Sequence, residues 1–201
     1  MKNKFRKITA LFTAVCMSFS LFTASSLFST ANAAETESEL VTTDGLLNYK
    51  ILEDGTIEVL GNTYYTYDSD KREIVIPSEI DGYKVTSIAS KAFYSWKYLK
   101  KVTISDVVTS IGRGAFQYCE SLESVTIPDS VTIIGEKTFE LCDALENVTI
   151  NNGVKNIGKK AFDSCDNLKS VTIPGSVTSM VTLHPIRADR TVETGTTLAR
   201  H

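Results

Sequence analysis

Between residues 93 and 177 one spacing governs the chain: large apolar residues return every 23 positions. Leu99, Leu122, Leu145 and Leu168 fall in step, as do Val102, Val125, Val148 and Val171, then Ile104, Ile127, Ile150 and Ile173. Val108, Val131, Val154 and Val177 keep the interval, with Ile111, Ile134 and Ile157, and with Phe93, Phe116, Phe139 and Phe162. A fixed period of this size marks a solenoid, in which each repeat is one coil stacked on the last. A lone coil buries too few side chains to offset the entropy of ordering its backbone, so several must fold together.

The stretch Leu122 to Cys142, LESVTIPDSVTIIGEKTFELC, shows how one coil is written. Val125 and Ile127 alternate with Ser124 and Thr126, so the β-branched pair points inward and the polar pair outward. Pro128 lacks a backbone donor and closes that strand. Asp129 opens a turn, where other coils carry Asp106, Asn152 and Gly175. Val131 to Ile134 reads as a second short extended piece, and Gly135, like Gly112 and Gly158, allows a bend that a side chain would resist. Phe139 and Cys142, three apart, fit one face of a short helix over 136–142.

Other segments depart from this pattern. Lys2, Lys4, Arg6 and Lys7 precede an apolar run from Ile8 to Phe28 and an Ala31-Asn32-Ala33 cleavage signal, so residues 1–33 read as a secretory signal peptide. A membrane anchor is disfavoured by the Ser and Thr that dilute the run, and lipid modification at Cys16 by the bulk of Val15. Residues 34–44 are polar and read as a flexible mature N-terminus. Over residues 45–71, two alternating runs flank Glu53-Asp54-Gly55, a β-hairpin that caps the first coil, followed by a connector. Repeats occupy 72–180, the first of them lengthened by Ser78 to Tyr83. Residues 181–201 lose the register and hold three of the six arginines, none of the 15 lysines and both histidines. They read either as the site where a longer array was truncated or replaced by non-native sequence, or as a genuine irregular tail.

Charge narrows the partners. Removing the leader takes away four basic residues and no acidic ones, leaving 17 basic (21 less 4) against 24 acidic, a net charge of −7. Such a surface is unsuited to neutralising phosphates, so nucleic acid is not expected. No block of like charge suggests membrane contact beyond the cleaved leader. Cys119, Cys142 and Cys165, themselves 23 apart, read as an inward column of thiols acting as small hydrophobes, with Trp96 one coil earlier as core. A disulfide between neighbours is geometrically open, since coils lie about 4.8 Å apart. Zinc is disfavoured, because a straight row cannot surround a metal tetrahedrally.

Together these residues spell L-x-x-V-T-I-P-x-S-V-T-x-I-G-x-x-A-F-x-x-C, a motif that resembles the BspA-like, Treponema pallidum-type leucine-rich repeat. The likeness rests on Leu122 to Pro128, Ile134-Gly135 and Phe139-x-x-Cys142, and again on Leu168 to Pro174 and Ala161-Phe162-x-x-Cys165. This chain departs from it at Thr138 (usually Ala), Ala89 (usually Gly), and Ser105 and Asn151 (usually Pro). The resemblance implies a right-handed α/β leucine-rich-repeat solenoid of 23-residue coils, with parallel strands on one face, short helices on another and an N-terminal β-hairpin cap. It also implies a secreted or cell-surface bacterial protein that binds host proteins, cells or matrix.

The candidate contact surfaces are outward columns. Lys101, Ser124, Asn147 and Ser170 form one, and Thr103, Thr126, Thr149 and Thr172 the next. The threonines read either as β-formers bonded across strands or as a hydroxyl platform for protein or glycan. Tyr94 and Tyr98 stand where other coils are polar or small, which suits either interface anchors or packing against the capping hairpin. Glu120, Asp143 and Asp166 form a carboxylate row that turn chemistry explains better than calcium does. No nucleophile motif or phosphate-cradling glycine loop is present, so neither catalysis nor a cofactor or metal is expected. The expectation is an adhesin-like, non-catalytic recognition module for a protein or cell-surface glycan partner, of open oligomeric state. The alternatives are an accessory module associating with carbohydrate or cell wall during polysaccharide degradation, and a structural spacer from a longer protein.

Overall fold

A computed structural model gives the fold for residues 40–41, 47–62, 72–180 and 191–194. The leader expected over residues 1–33 lies outside the described residues. The strands, in chain order, begin with β1 (Leu40–Val41), β2 (Leu47–Ile51), β3 (Ile57–Asn62), β4 (Glu73–Ile76) and β5 (Glu79–Ile80). Next come β6 (Tyr83–Ile88), β7 (Lys101–Ile104), β8 (Ser110–Ile111), β9 (Ser124–Ile127) and β10 (Ile133–Ile134). The last are β11 (Asn147–Ile150), β12 (Asn156–Ile157), β13 (Ser170–Ile173), β14 (Ser179–Met180) and β15 (Thr191–Thr194).

They form two sheets. The main sheet runs β15-β13-β11-β9-β7-β4 and is parallel throughout. The second runs β1-β2-β3-β6-β8-β10-β12-β14, with β5 folded back on β6. Ser124 faces Asn147 and Asn147 faces Ser170, each pair one repeat apart. The first coil is longer: Glu73 faces Lys101, a step of 28 positions (73 to 101), because the β5–β6 excursion is inserted at its corner. The hairpin β2–β3 joins the second sheet through parallel pairing of β3 with β6.

Two stretches expected to be irregular contribute strands. Leu40–Val41 pairs antiparallel with β2, within the segment read as flexible. Thr191–Thr194 pairs with β13, Val192 facing Val171. The rest of both segments lies outside the described residues.

Alternation explains the core. Val102, Val125, Val148 and Val171 are buried from the main sheet, and Ile111, Ile134 and Ile157 from the second. Between the sheets the phenylalanines stack ring over ring: Phe93–Phe116 at 5.2 Å, and Phe116–Phe139 and Phe139–Phe162 both at 5.4 Å. A column of near-parallel rings one coil apart packs into the buried core.

The short helix expected over 136–142 is absent, and no helix occurs among the described residues. Lys137 and Leu141 adopt left-handed φ of 59° and 60°, as do Lys91 and Ser95, Gly114 and Tyr118, and Lys160 and Ser164 in other coils. Alternate amides therefore face the next coil. Gly114, Phe116 and Tyr118 donate to Glu136, Thr138 and Glu140 at 2.8, 2.9 and 3.0 Å. The amides between them turn inward, as Gln117 does to Gly114 and Cys119 to Phe116. A helix would spend every amide within its own coil, whereas this arrangement ladders the third side of the solenoid as well.

The repeat glycines also work differently from the expected bend. Gly135 has no left-handed φ, but a Cβ there would lie 2.6 Å from the Arg113 nitrogen and from the Gly112 carbonyl carbon. Close approach of successive backbones, rather than conformational freedom, keeps a side chain out.

Candidate functional site

The outer face of the main sheet is built by the same alternation that fills the core. With Val102 and Ile104 pointing inward, Lys101 and Thr103 point out. Ser124, Thr126, Asn147, Thr149 and Thr172 are exposed likewise. Ser170 holds its place in the backbone register between Asn147 and Thr191. The two expected columns are therefore contiguous, laid side by side across the strands. Glu73 and Val75 of β4 extend them by one strand, Val75 being 60% exposed.

Threonines on the two sheets behave differently. Immediately ahead of β8, β10 and β14 of the second sheet, Thr109 Oγ1 donates to the Thr86 carbonyl at 3.0 Å, Thr132 to Thr109 at 3.2 Å and Thr178 to Lys155 at 3.4 Å. Those hydroxyls are consumed by the ladder. Among the described residues, no side-chain hydrogen bond engages the hydroxyls of Thr103, Thr126 or Thr149. Main-sheet threonines thus keep donor and acceptor capacity facing solvent.

Tyr94 packs edge-on against Tyr118 of the next coil, with centroids 5.3 Å apart, and Lys91 Nζ lies 5.5 Å from its ring centroid. Both contacts tie it down within the array. Tyr98 remains 48% exposed, three residues ahead of β7. Trp96 packs partly buried on the core, 6.0 Å from Phe93. The structure thus brings the polar columns together and leaves Tyr94 half-buried and Tyr98 exposed.

The cysteine column is inward, buried and free of disulfides. Each thiol donates to a phenylalanine carbonyl one coil earlier: Cys119 to Phe93 at 3.3 Å, Cys142 to Phe116 at 3.2 Å and Cys165 to Phe139 at 3.1 Å. Burial pushes the Cys119 thiol up to about 12 and that of Cys142 well above its ordinary range, with Cys119 and Cys165 adding to the latter. While the stack stays closed, these two thiols keep their protons.

Along the neighbouring corner, ion pairs link successive coils: Lys97–Glu120 at 2.9 Å, Lys100–Glu123 at 2.7 Å and Lys169–Glu146 at 2.6 Å. Within the carboxylate row, Asp143 titrates above its ordinary value, first through desolvation and then through the charges of Asp166 and Glu120. Sequence reasoning passed over one polar feature. Glu140 is 6% exposed, accepts a hydrogen bond from the buried Gln117 amide and pairs with Lys137 at 3.3 Å. The three-residue step from Lys137 to Glu140 was its only trace.

This geometry defines a leucine-rich-repeat solenoid, with continuous outer sheets and a filled interior. The chain belongs to the BspA type leucine rich repeat region family, whose repeat matches residues 58–182 in six copies. It is similar to the crystal structure of the T. pallidum leucine rich repeat protein, with 24% identity, 72% of this chain and 83% of that one covered, and a TM-score of 0.54. It is also similar to the pneumococcal vaccine antigen PcpA, with 19% identity, coverage of 72% and 46%, and a TM-score of 0.55. A leucine-rich repeat protein from Eubacterium ventriosum gives 25% identity, coverage of 67% and 40%, and a TM-score of 0.51. No curated protein matches the chain.

Proposed function

We propose that this protein is an exported, non-catalytic recognition module that uses the outer face of its main sheet to hold a protein on a cell surface or in the matrix around it. The observation that carries this reading is the contrast between the two sheets. Hydroxyls that could have been tied into the ladder are tied on one face and left facing solvent on the other. A flat row of short polar side chains in fixed register favours a broad, hydrogen-bonded contact over an enclosed small molecule. The basic-then-apolar leader and its Ala31-Asn32-Ala33 site support export.

Binding of the purified chain to cultured epithelial cells and immobilised matrix proteins tests the reading. The double variant Thr126→Arg, Thr149→Arg is expected to abolish binding, and Ile133→Arg on the second sheet to preserve it. Equal loss in both variants, or no binding by the parent, overturns the assignment. Retention on a glycan array with the same sensitivity would transfer the surface to carbohydrate. N-terminal sequencing of exported protein should begin at Ala34.

A further inference from the structure

We propose that Cys142 and Cys165 are a latent staple, forming a disulfide between neighbouring coils on oxidation while Cys119 remains a free thiol. The inference is independent of what the outer face binds. The coils carrying the pair are held in register by the backbone, Leu141 donating to Asp163 at 2.9 Å and Phe139 to Ala161 at 2.8 Å. Backbones laddered in this way lie about 4.8 Å apart, inside the roughly 4.4–6.8 Å Cα separation that disulfides span. Their side chains leave the backbone in parallel, so the Cβ atoms sit about one coil rise apart, slightly beyond the usual ~3.5–4.5 Å. The two coils must tilt together before the sulfurs can bond. In the closed stack both thiols instead donate to phenylalanine carbonyls.

Position in the column selects the pair. Cys119 and Cys142 are fully enclosed, whereas Cys165 is 3% exposed and its neighbours Ser164 and Asp166 are open to solvent. Cys165 lies between these two solvent-exposed residues, so on local opening it meets an oxidant first. Freed from its carbonyl, Cys165 loses its proton and attacks a disulfide oxidant such as oxidised glutathione, forming a mixed disulfide and releasing one glutathione. Cys142 then attacks the Cys165 sulfur and releases the second. Two electrons and two thiol protons leave the protein, and the oxidant becomes two thiols.

The test uses the chain with Cys16→Ser, incubated with oxidised glutathione in urea just below its unfolding transition, then alkylated and peptide-mapped. The Cys142–Cys165 linkage should exceed every other by about tenfold, with Cys119 alkylated. Cys119→Ala should leave the linkage unchanged, and Cys165→Ala should slow capture of Cys142 by at least about tenfold. A dominant Cys119–Cys142 product, comparable Cys119–Cys165, or glutathione adducts without an internal bond would each overturn the proposal. The mapping of the parent chain decides alone if a variant does not fold.

Discussion

Gly135 and Arg113 stand one coil apart, so close that a Cβ on the glycine would lie 2.6 Å from the arginine's backbone nitrogen. Gly135→Ala must therefore push two coils apart and strain the bond from its own amide to the Ile111 carbonyl, now 2.9 Å. A loss of about 1–3 kcal/mol is expected. Gly82→Ala offers the comparison, since its φ of +88° is strained but nothing lies within 4 Å; that change should lose about 1–2 kcal/mol. Urea midpoints for the two variants measure the difference. Full stability in Gly135→Ala would show that the stack has slack.

Phe139 has a ring on either side at 5.4 Å. Phe139→Ala opens a cavity that rigid neighbouring coils cannot close, and should lose about 3–5 kcal/mol. Phe139→Leu retains most of the volume and should lose roughly half as much. The check is urea unfolding followed by two independent probes.

Buried and exposed polar pairs should separate cleanly. Glu140→Ala leaves the Gln117 amide enclosed without its acceptor, a loss of about 1–3 kcal/mol. Glu123→Gln breaks only the exposed pair with Lys100 and should lose under about 1 kcal/mol, less in high salt. Thermal melts at two salt concentrations distinguish them.

Tyr49 gives an alkaline prediction. Burial first, then the hydrogen bond to Asp81 at 2.6 Å and that carboxylate's charge, raise it from 10.0 to about 12. The native state holds the phenolic proton more tightly than the unfolded chain. Its contribution is complete below pH 10 and disappears as pH rises through about 12. The difference in stability between parent and Tyr49→Phe should shrink by about 2–3 kcal/mol across that window. Comparing the two isolates the tyrosine from the buried thiols, whose raised values lose stability in the same direction.

Asp143 predicts the opposite edge. Its carboxyl titrates above its ordinary value, so the folded state favours the protonated form and gains stability as pH falls through that range. Asp143→Asn should raise the melting temperature at neutral pH and flatten the acid-side gain. A lower melting temperature in the variant would contradict this.

The strands were legible because valine and isoleucine alternate with polar residues on a fixed beat; burial follows that beat through Val125 and Ile127. The hairpin was legible from Glu53-Asp54-Gly55 between two such runs. The third side was not. Phe139 and Cys142, three apart, suit a helix and a laddered turn equally, and neither Lys137 nor Leu141 advertises a left-handed backbone. The same ambiguity hid the role of Gly135, since a glycine column marks both bends and close approaches. Of the candidate surface, exposure of Thr126 and Thr149 could be read from spacing. That Thr109 and Thr132 spend their hydroxyls on the ladder depends on atomic distances, which residue type does not encode.

Because all three sides of each coil present matching backbone donors and acceptors to the coils above and below, lengthening this protein is quantised. A duplicated unit of one full period slots between its neighbours with every ladder intact, whereas a single-residue deletion inside a strand misaligns two sheets at once. The corner that holds β5 marks where slack is tolerated: five additional residues bulge out there while the register on either side survives. Inherited variation in array length should arrive as whole copies, with odd-sized insertions confined to such corners.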